Sequence, residues 1–423
     1  MEQVLNIIFQ NSNNKESLQH LFEFLKKKEK IINEQKNNLD LYLEQLHNGH
    51  HTLGCLFLLA AKAQAKSIQN VVLIIKQLQQ FFLNCDPYQA RFCPSKYYFL
   101  CKRLAEICIE NSVPQAAILP LYQSIQKLQK TSELTPAHPY LMLVSLCSKN
   151  FSVATKVLEE EVFEIESKRT GLNIEEVLLY FYYGGLIWAI LKQYDRATHF
   201  FELNISFPAN ILSRIVLESY KKFIFTSILS TGKVPVLPSQ TSHVVEKNLR
   251  QFCGPYLKFK QFFENSNSLE LNELVVKFND VFEKDNNLGL AKLCIQNLLK
   301  RGIQRLTKTY ITLSLEFVAE KFGLGSVINA EFYILDMIEK GEVFAKIDQK
   351  KGEISFHDDP ETYQSSKVGI RMDKDIQEVI DLSNQIKHLD ERIMVYPNYI
   401  MKKMKEDYHS QKKSEEISEK KMN

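Results

Sequence analysis

The sequence predicts an all-α, tetratricopeptide-like solenoid of helical repeats, followed by a winged helix with a small β-hairpin and by one further helix. Three observations support this fold class. The chain has 14 glycines and 12 prolines in 423 residues, fewer than the average usage of about 7% and 5% would give. This scarcity favours long helices. A short segment recurs within the first half of the chain. Beyond residue 341 the spacing of apolar residues changes from helical to alternating.

These patterns divide the chain into regions. We predict the following limits: N-terminal helical repeats (1–195), a second domain (196–364) made of a helical part (196–303) and a winged helix (304–359), a C-terminal amphipathic helix (370–400) and a tail (401–423). The tail consists mostly of Lys, Glu, Ser and Gln, so we expect it to be disordered.

The recurring segment is typical of a helical hairpin. KNFSVATKVLEE begins at Lys149 and KQYDRATHFFEL begins at Lys192, so that the Ala-Thr pair returns at an offset of 43 residues. Small residues in such a repeat let two helices approach, and aromatic residues fill the gap between successive hairpins. The second copy continues a tetratricopeptide-like pattern made of Phe181, Gly185, Trp188, Ala197, Phe201 and Pro208.

A winged helix is predicted after Arg301. Apolar residues recur at helical spacing over residues 311–322 and 327–338, and a glycine follows each stretch. Residues 343–347 and 353–356 then alternate between apolar and polar on either side of a polar turn. Alternation around a turn that contains glycine predicts a two-stranded hairpin. We expect its second strand to be the exposed working edge of the domain, formed by Glu353, Ile354, Ser355 and Phe356.

A heptad stripe marks the C-terminal helix. Steps of three and four residues alternate along it, and its members are Val379, Leu382, Ile386, Leu389, Ile393 and Tyr396. This spacing places them on one face of a helix that Pro397 ends. From periodicity alone, two placements stay open: the stripe packs on its own domain, or it packs against helices of other chains.

Composition restricts location and partners. The net charge of +3 is near neutral for this length. It does not indicate a protein that binds nucleic acid or anionic membranes. No apolar run reaches the roughly 18 residues of a membrane span, and no secretory signal is evident. We therefore expect a protein of the cytoplasm and nucleus with reduced cysteines. Cys93, Cys101 and Cys108 share a helical spacing and are expected to be small core residues.

The sequence contains no catalytic or metal-binding pattern. HExxH, HxH, GxxxxGK[ST] and GxSxG are all absent. His50 and His51 are adjacent, and neighbouring helical residues point about 100° apart, which does not suit a shared metal. We expect no enzyme activity, no cofactor and no metal.

Nucleic-acid binding is a weaker alternative for the winged helix. Its second helix, residues 327–340, carries three carboxylates against one lysine. Phosphate contacts require Lys and Arg, so this helix favours contact with proteins. Lys346, Lys350 and Lys351 lie near the hairpin turn and keep the alternative open.

Several long stretches resemble the PCI domain family. Within it they are most similar to the COP9 signalosome subunit 3 family, and the resemblance is close over about residues 180–400. The stretches that carry it are FYYGGLIWAILKQYDRATHFFE (181–202), LESYKKFIFTSILSTGKV (217–234), FEKDNNLGLAKLC (282–294), GIQRLTKTYITLSLE (302–316) and MIEKGEVFAKIDQKKGEISFHDDPE (337–361).

The resemblance implies a non-catalytic scaffold subunit. The COP9 signalosome removes a ubiquitin-like modifier from cullins of cullin-RING ubiquitin ligases, and its activity resides in a different subunit. The implied partners are the other signalosome subunits, joined through winged-helix edges and through a bundle of C-terminal helices. Cullin-RING ligases would be indirect partners, and neither a membrane nor nucleic acid is expected. A PCI subunit of the proteasome lid is the alternative of the same architecture.

Overall fold

The computed structural model is mostly helical, as predicted. It describes residues 2–12, 17–34, 39–64, 70–128, 133–160, 162, 165, 170–209, 211–265, 268–357, 366–396 and 399–405. No helix in these ranges combines the length and the apolar composition needed to cross a membrane.

The helical region occupies the first three quarters of the chain. Its elements are α1 (Glu2–Asn11), α2 (Leu18–Glu34), α3 (Leu39–Gln45), α4 (Thr52–Ala63), α5 (Val71–Asn84), α6 (Pro87–Ala90), α7 (Pro94–Glu110), α8 (Gln115–Leu128), α9 (Ala137–Ser148), α10 (Ser152–Glu159), α11 (Ile174–Ile190), α12 (Tyr194–Ser206), α13 (Arg214–Ser230), α14 (His243–Phe252), α15 (Gly254–Glu264), α16 (Ser268–Lys277), α17 (Asn279–Lys284) and α18 (Leu288–Thr307). The predicted division at residue 195 falls inside α12 rather than between elements.

The winged helix and the C-terminal helix complete the chain. Their elements are β1 (Thr312–Ser314), α19 (Leu315–Phe322), α20 (Val327–Glu339), β2 (Ala345–Asp348), β3 (Glu353–Phe356) and α21 (Ser366–Val395). Residues 399–405 are also helical, so the predicted disordered tail begins as helix. The rest of that tail, residues 406–423, lies outside the described residues.

Both copies of the recurring segment form the same helical corner. Lys149 and Lys192 adopt left-handed conformations, with φ of 56° and 61°. The following N–H groups donate back across the corner, from Asn150 to the carbonyl oxygen of Ser145 (3.2 Å) and from Gln193 to that of Trp188 (2.9 Å). These bonds are typical of a Schellman cap, which satisfies the last carbonyls of the first helix.

The second helix of each hairpin then packs through a small residue. Ala154 and Ala197, each five positions after the left-handed residue, are fully buried. The structure reveals two more such corners, at Ser112 (φ 59°) and Asn286 (φ 53°). Ala117 and Ala291 follow them at the same interval and are equally buried. The sequence pattern missed these units because they lack the Lys and the aromatic residue of the recognised copies.

The hydrophobic core forms two clusters. One is continuous through the helical region, from Val4 to Leu298. The other belongs to the winged helix and runs from Ile303 to Phe356. Cys93, Cys101 and Cys108 are buried, as predicted, and of the eight cysteines Cys147 is the exposed one.

A buried polar network ties α13 to the segment before α18. The Lys221 ammonium donates to a carboxylate oxygen of Asp285 at 2.8 Å, and the Tyr256 hydroxyl donates to the same oxygen at 2.8 Å. Lys222 donates to the side-chain oxygen of Asn287 at 2.7 Å. Burial lowers the pKa of Lys222, because a desolvated ammonium is costly. Each buried charge thus retains a hydrogen-bonding partner.

A substitution of Gly185 can test whether α11 and α12 need a small residue where they approach each other. A Cβ built on Gly185 lies 2.6 Å from a ring carbon of Phe201, and Phe201 is fully buried. We expect Gly185→Ala to lower the free energy of unfolding by about 1–3 kcal/mol, because the packed ring has to shift. Urea denaturation measures the effect. Gly289→Ala is the control, since its Cβ meets nothing within 4 Å; it gains up to about 1 kcal/mol of helix propensity. Equal stability of the two variants would contradict the packing argument.

His138 gives the fold a defined pH dependence. It is buried, and its Nδ1 accepts the N–H of Thr135 at 3.1 Å. Burial lowers the pKa of His138 to about 4. The folded state therefore stays neutral at this site while the unfolded chain takes up a proton below pH about 6.5. We expect stability to fall between pH 6.5 and 4 by about 3 kcal/mol from this residue. Denaturation of the native chain and of His138→Gln across this range should show a smaller loss in the variant.

Candidate protein-interaction site

The sheet of the winged helix has three strands rather than the predicted two. Its order is β1-β3-β2, with both pairings antiparallel. β1 arises from residues that the sequence assigned to a helix starting near Ile311. Thr312 instead pairs with Ser355. The helix begins only after Ser314, whose hydroxyl accepts the N–H of Phe317 at 3.3 Å and so caps α19.

The predicted edge strand is the central strand, so the edge assignment was wrong. β3 pairs with β1 on one side and with β2 on the other. Ile354 and Phe356 are buried in the winged-helix core, because a central strand with apolar alternation fills the space beneath both neighbours. Glu353 and Ser355 lie on the other face, exposed and half-buried. The backbone of these four residues is consequently engaged within the domain.

The open edge beside the hairpin is β2. The N–H of His357 donates to the carbonyl oxygen of Phe344 at 2.9 Å, and antiparallel pairing alternates from one residue to the next. Ala345 and Ile347 therefore direct their backbone N–H and C=O groups away from β3. The opposite edge, β1, is only three residues long and continues directly into α19. β2 is thus the edge better suited to accept another strand.

An exposed apolar stripe lies on α20. Ala330, Ile334 and Met337 are buried on one face of this helix, while Ile328 (64%) and Phe332 (68%) are largely exposed on another. Sequence reasoning missed this surface, although one core face does not require this many apolar residues. A carboxylate oxygen of Glu331 accepts a hydrogen bond from the side-chain amide of Gln349. An apolar and acidic helix face favours protein contact over phosphate contact.

Comparison with known proteins identifies the family. The model for the N-terminal helical repeats of COP9 signalosome complex subunit 3 matches residues 15–245, and the PCI domain model matches residues 275–358. A Drosophila melanogaster protein named COP9 signalosome complex subunit 3 is 35% identical over 382 residues, which are 86% of this chain and 86% of that protein. A Dictyostelium discoideum protein of the same name is 33% identical over 396 residues, 93% of each. This chain belongs to the COP9 signalosome subunit 3 family.

Family membership confirms the predicted resemblance and architecture. Helical repeats precede a PCI domain, and the sheet of the winged helix lies inside the PCI match. Among the described residues, no group of three or more His, Cys, Asp or Glu side chains is arranged to hold a metal.

In this member of the COP9 signalosome subunit 3 family, α21 lies beyond the PCI match. It has 30 residues, so it is about 45 Å long. It begins at Ser366, four residues before the predicted start at residue 370, and ends at Val395. Pro397, the predicted breaker, lies outside the described residues. Five members of the heptad stripe are exposed, namely Val379, Leu382, Ile386, Ile393 and Tyr396, and Leu389 is half-buried. The stripe is thus available on the surface of the chain, and its role as a contact remains a prediction.

Proposed function

We propose that this chain is a non-catalytic scaffold subunit of a COP9 signalosome, and that it acts in the cytoplasm and nucleus. Similarity to two curated subunit 3 proteins over most of the chain carries the proposal. Through the assembled complex, the chain contributes to removal of a ubiquitin-like modifier from the cullins of cullin-RING ligases. Its own part is to hold neighbouring subunits in place. Purification of the native complex with the chain tagged is the direct test, and absence of other signalosome subunits would overturn the proposal.

One contact in this proposal is the open edge of β2. Strand addition uses the unpaired backbone groups of Ala345 and Ile347 for hydrogen bonds to a strand of a neighbouring PCI subunit. The exposed α20 residues Ile328 and Phe332 supply apolar surface that backbone pairing alone lacks. This arrangement replaces Glu353–Phe356 as the proposed joining strand.

The second contact is the heptad stripe of α21. An exposed stripe of this length is stable in water only at the cost of apolar hydration. Burying each large side chain in a helical bundle stabilises the assembly by roughly 1.5–3 kcal/mol. The surface position of the stripe supports intermolecular packing over packing on its own domain.

The stripe can be tested without unfolding the chain. Leu382→Asp together with Leu389→Asp puts two charges into the proposed bundle, and we expect the variant to fold but to be lost from the complex. Co-purification and circular dichroism measure the two outcomes. Asn384→Asp with His388→Asp is the matched control, because these exposed positions lie on the opposite helix face and carry the same added charge. Normal assembly of the leucine variant would place the stripe outside the interface.

Proline substitutions can distinguish the two sheet edges. Ala345→Pro removes an N–H that points away from β3, which an edge strand tolerates. We expect its melting temperature to change little and its binding to the neighbouring PCI subunit to weaken about tenfold or more. Thr312→Pro makes the equivalent change on β1 and should leave assembly intact. The reverse result would move the contact to the β1 edge.

A further inference from the structure

A large groove lies on the helical repeats, away from the winged helix. Its volume is about 1380 Å³, and it runs between the end of α10, the hairpin α11–α12 and the segment around Pro238. Lys374 and Glu378 of α21 form part of its wall. No role in the proposed assembly uses this surface.

The floor of the groove is aromatic. Tyr180, Phe181 and Phe200 contact one another with ring centroids 5.3–6.1 Å apart. Leu203 also lines the groove and is 39% exposed. Tyr180 and Phe181 are buried and Phe200 is half-buried. The accessible apolar surface is therefore that of Phe200 and Leu203, which can hold an apolar side chain of an extended ligand.

The rim of the groove is acidic. Five carboxylate residues and two cationic residues line it. The carboxylates are Glu159, Glu160, Asp195, Glu202 and Glu378. A rim of this charge repels phosphates and other anions and attracts Lys and Arg side chains.

Trp188 supplies a second indication of a ligand. Its Nε1–H is buried and has no hydrogen-bonding partner among the described residues, although a buried indole N–H usually finds one. The Arg196 guanidinium covers the ring at 4.7 Å from the centroid. That guanidinium is half exposed, and its ion pair with Glu159 is long, at 3.8 Å. Arg196 covers the face of the ring, whereas Nε1–H lies in the ring plane. Because Trp188 lines the groove, a peptide carbonyl there would be the acceptor that Nε1–H lacks.

We propose that this groove binds an extended basic peptide segment of a partner protein. One apolar side chain of the segment rests on the aromatic floor, and Lys or Arg residues on either side face the acidic rim. The groove contains no residue of β2 and no residue of the α21 stripe, although Lys374 and Glu378 of its wall belong to α21.

Tryptophan fluorescence provides a direct assay, because Trp188 is the only tryptophan of the chain. The full-length chain is titrated with the acetylated and amidated peptide KRLFKR, which contains no tryptophan. Fluorescence is excited at a wavelength that tyrosine does not absorb. We expect a saturable change in emission that weakens with added salt. The charge-reversed peptide EELFEE should cause no change. Equal binding of both peptides, or binding of neither, would overturn the proposal.

Two variants locate the binding. Glu159→Gln with Glu202→Gln should weaken KRLFKR about fivefold to tenfold, as expected for loss of two exposed charge pairs. Glu283→Gln with Glu320→Gln removes the same charge from exposed positions outside the groove and should leave affinity unchanged. If both double variants bound KRLFKR equally weakly, the effect would be one of overall charge, and the proposed site would be overturned. Leu382→Asp with Leu389→Asp should bind KRLFKR normally, so failure of the assembly proposal and failure of this one remain distinguishable.

Discussion

The helical region depends on one local constraint, the corner between the two helices of a hairpin. A residue in the left-handed conformation, such as Lys192, closes the first helix and reverses the chain. Such a conformation costs a non-glycine residue about 1 kcal/mol or more, which the cap hydrogen bonds and the packing beyond it offset. Ala197, five positions later, is small enough for the second helix to lie against the first. This corner recurs at Ser112, Lys149, Lys192 and Asn286. The hairpins that it closes belong to a core that is continuous from Val4 to Leu298.

In the winged helix, some apolar residues form the core and others remain exposed for contact. β3 occupies the centre of the sheet, where both Ile354 and Phe356 are covered. The outward backbone groups of β2 are left open, because β2 pairs with β3 on one side only. On α20 the buried face holds the domain together, while Ile328 and Phe332 face outward. A domain shape known for nucleic-acid contact thus presents apolar and acidic surface, which suits a protein neighbour.

Prediction from the sequence succeeded where the signal was periodic and local. The hairpins at Lys149 and Lys192, the two helices of the winged helix and the stripe of α21 all follow from spacing along a single element. It failed where the signal was weak or depended on distant pairing. The corners at Ser112 and Asn286 share with the recognised copies only the alanine five positions later. β1 is too short to show an alternation of its own. The exposed stripe on α20 was not predicted, because periodicity does not say which of two apolar faces of a helix is covered.

By itself, the sequence determined the fold class, the family and the helix that carries the heptad stripe, because each is written in residue type and spacing. Only the tertiary structure decided that β3 is central and β2 is the edge, since strand order depends on Thr312 meeting Ser355 across two intervening helices. It also decided that Trp188, a repeat residue by pattern, lies in an acid-rimmed groove. That setting arises from side chains of separate elements, and no local pattern records which elements meet.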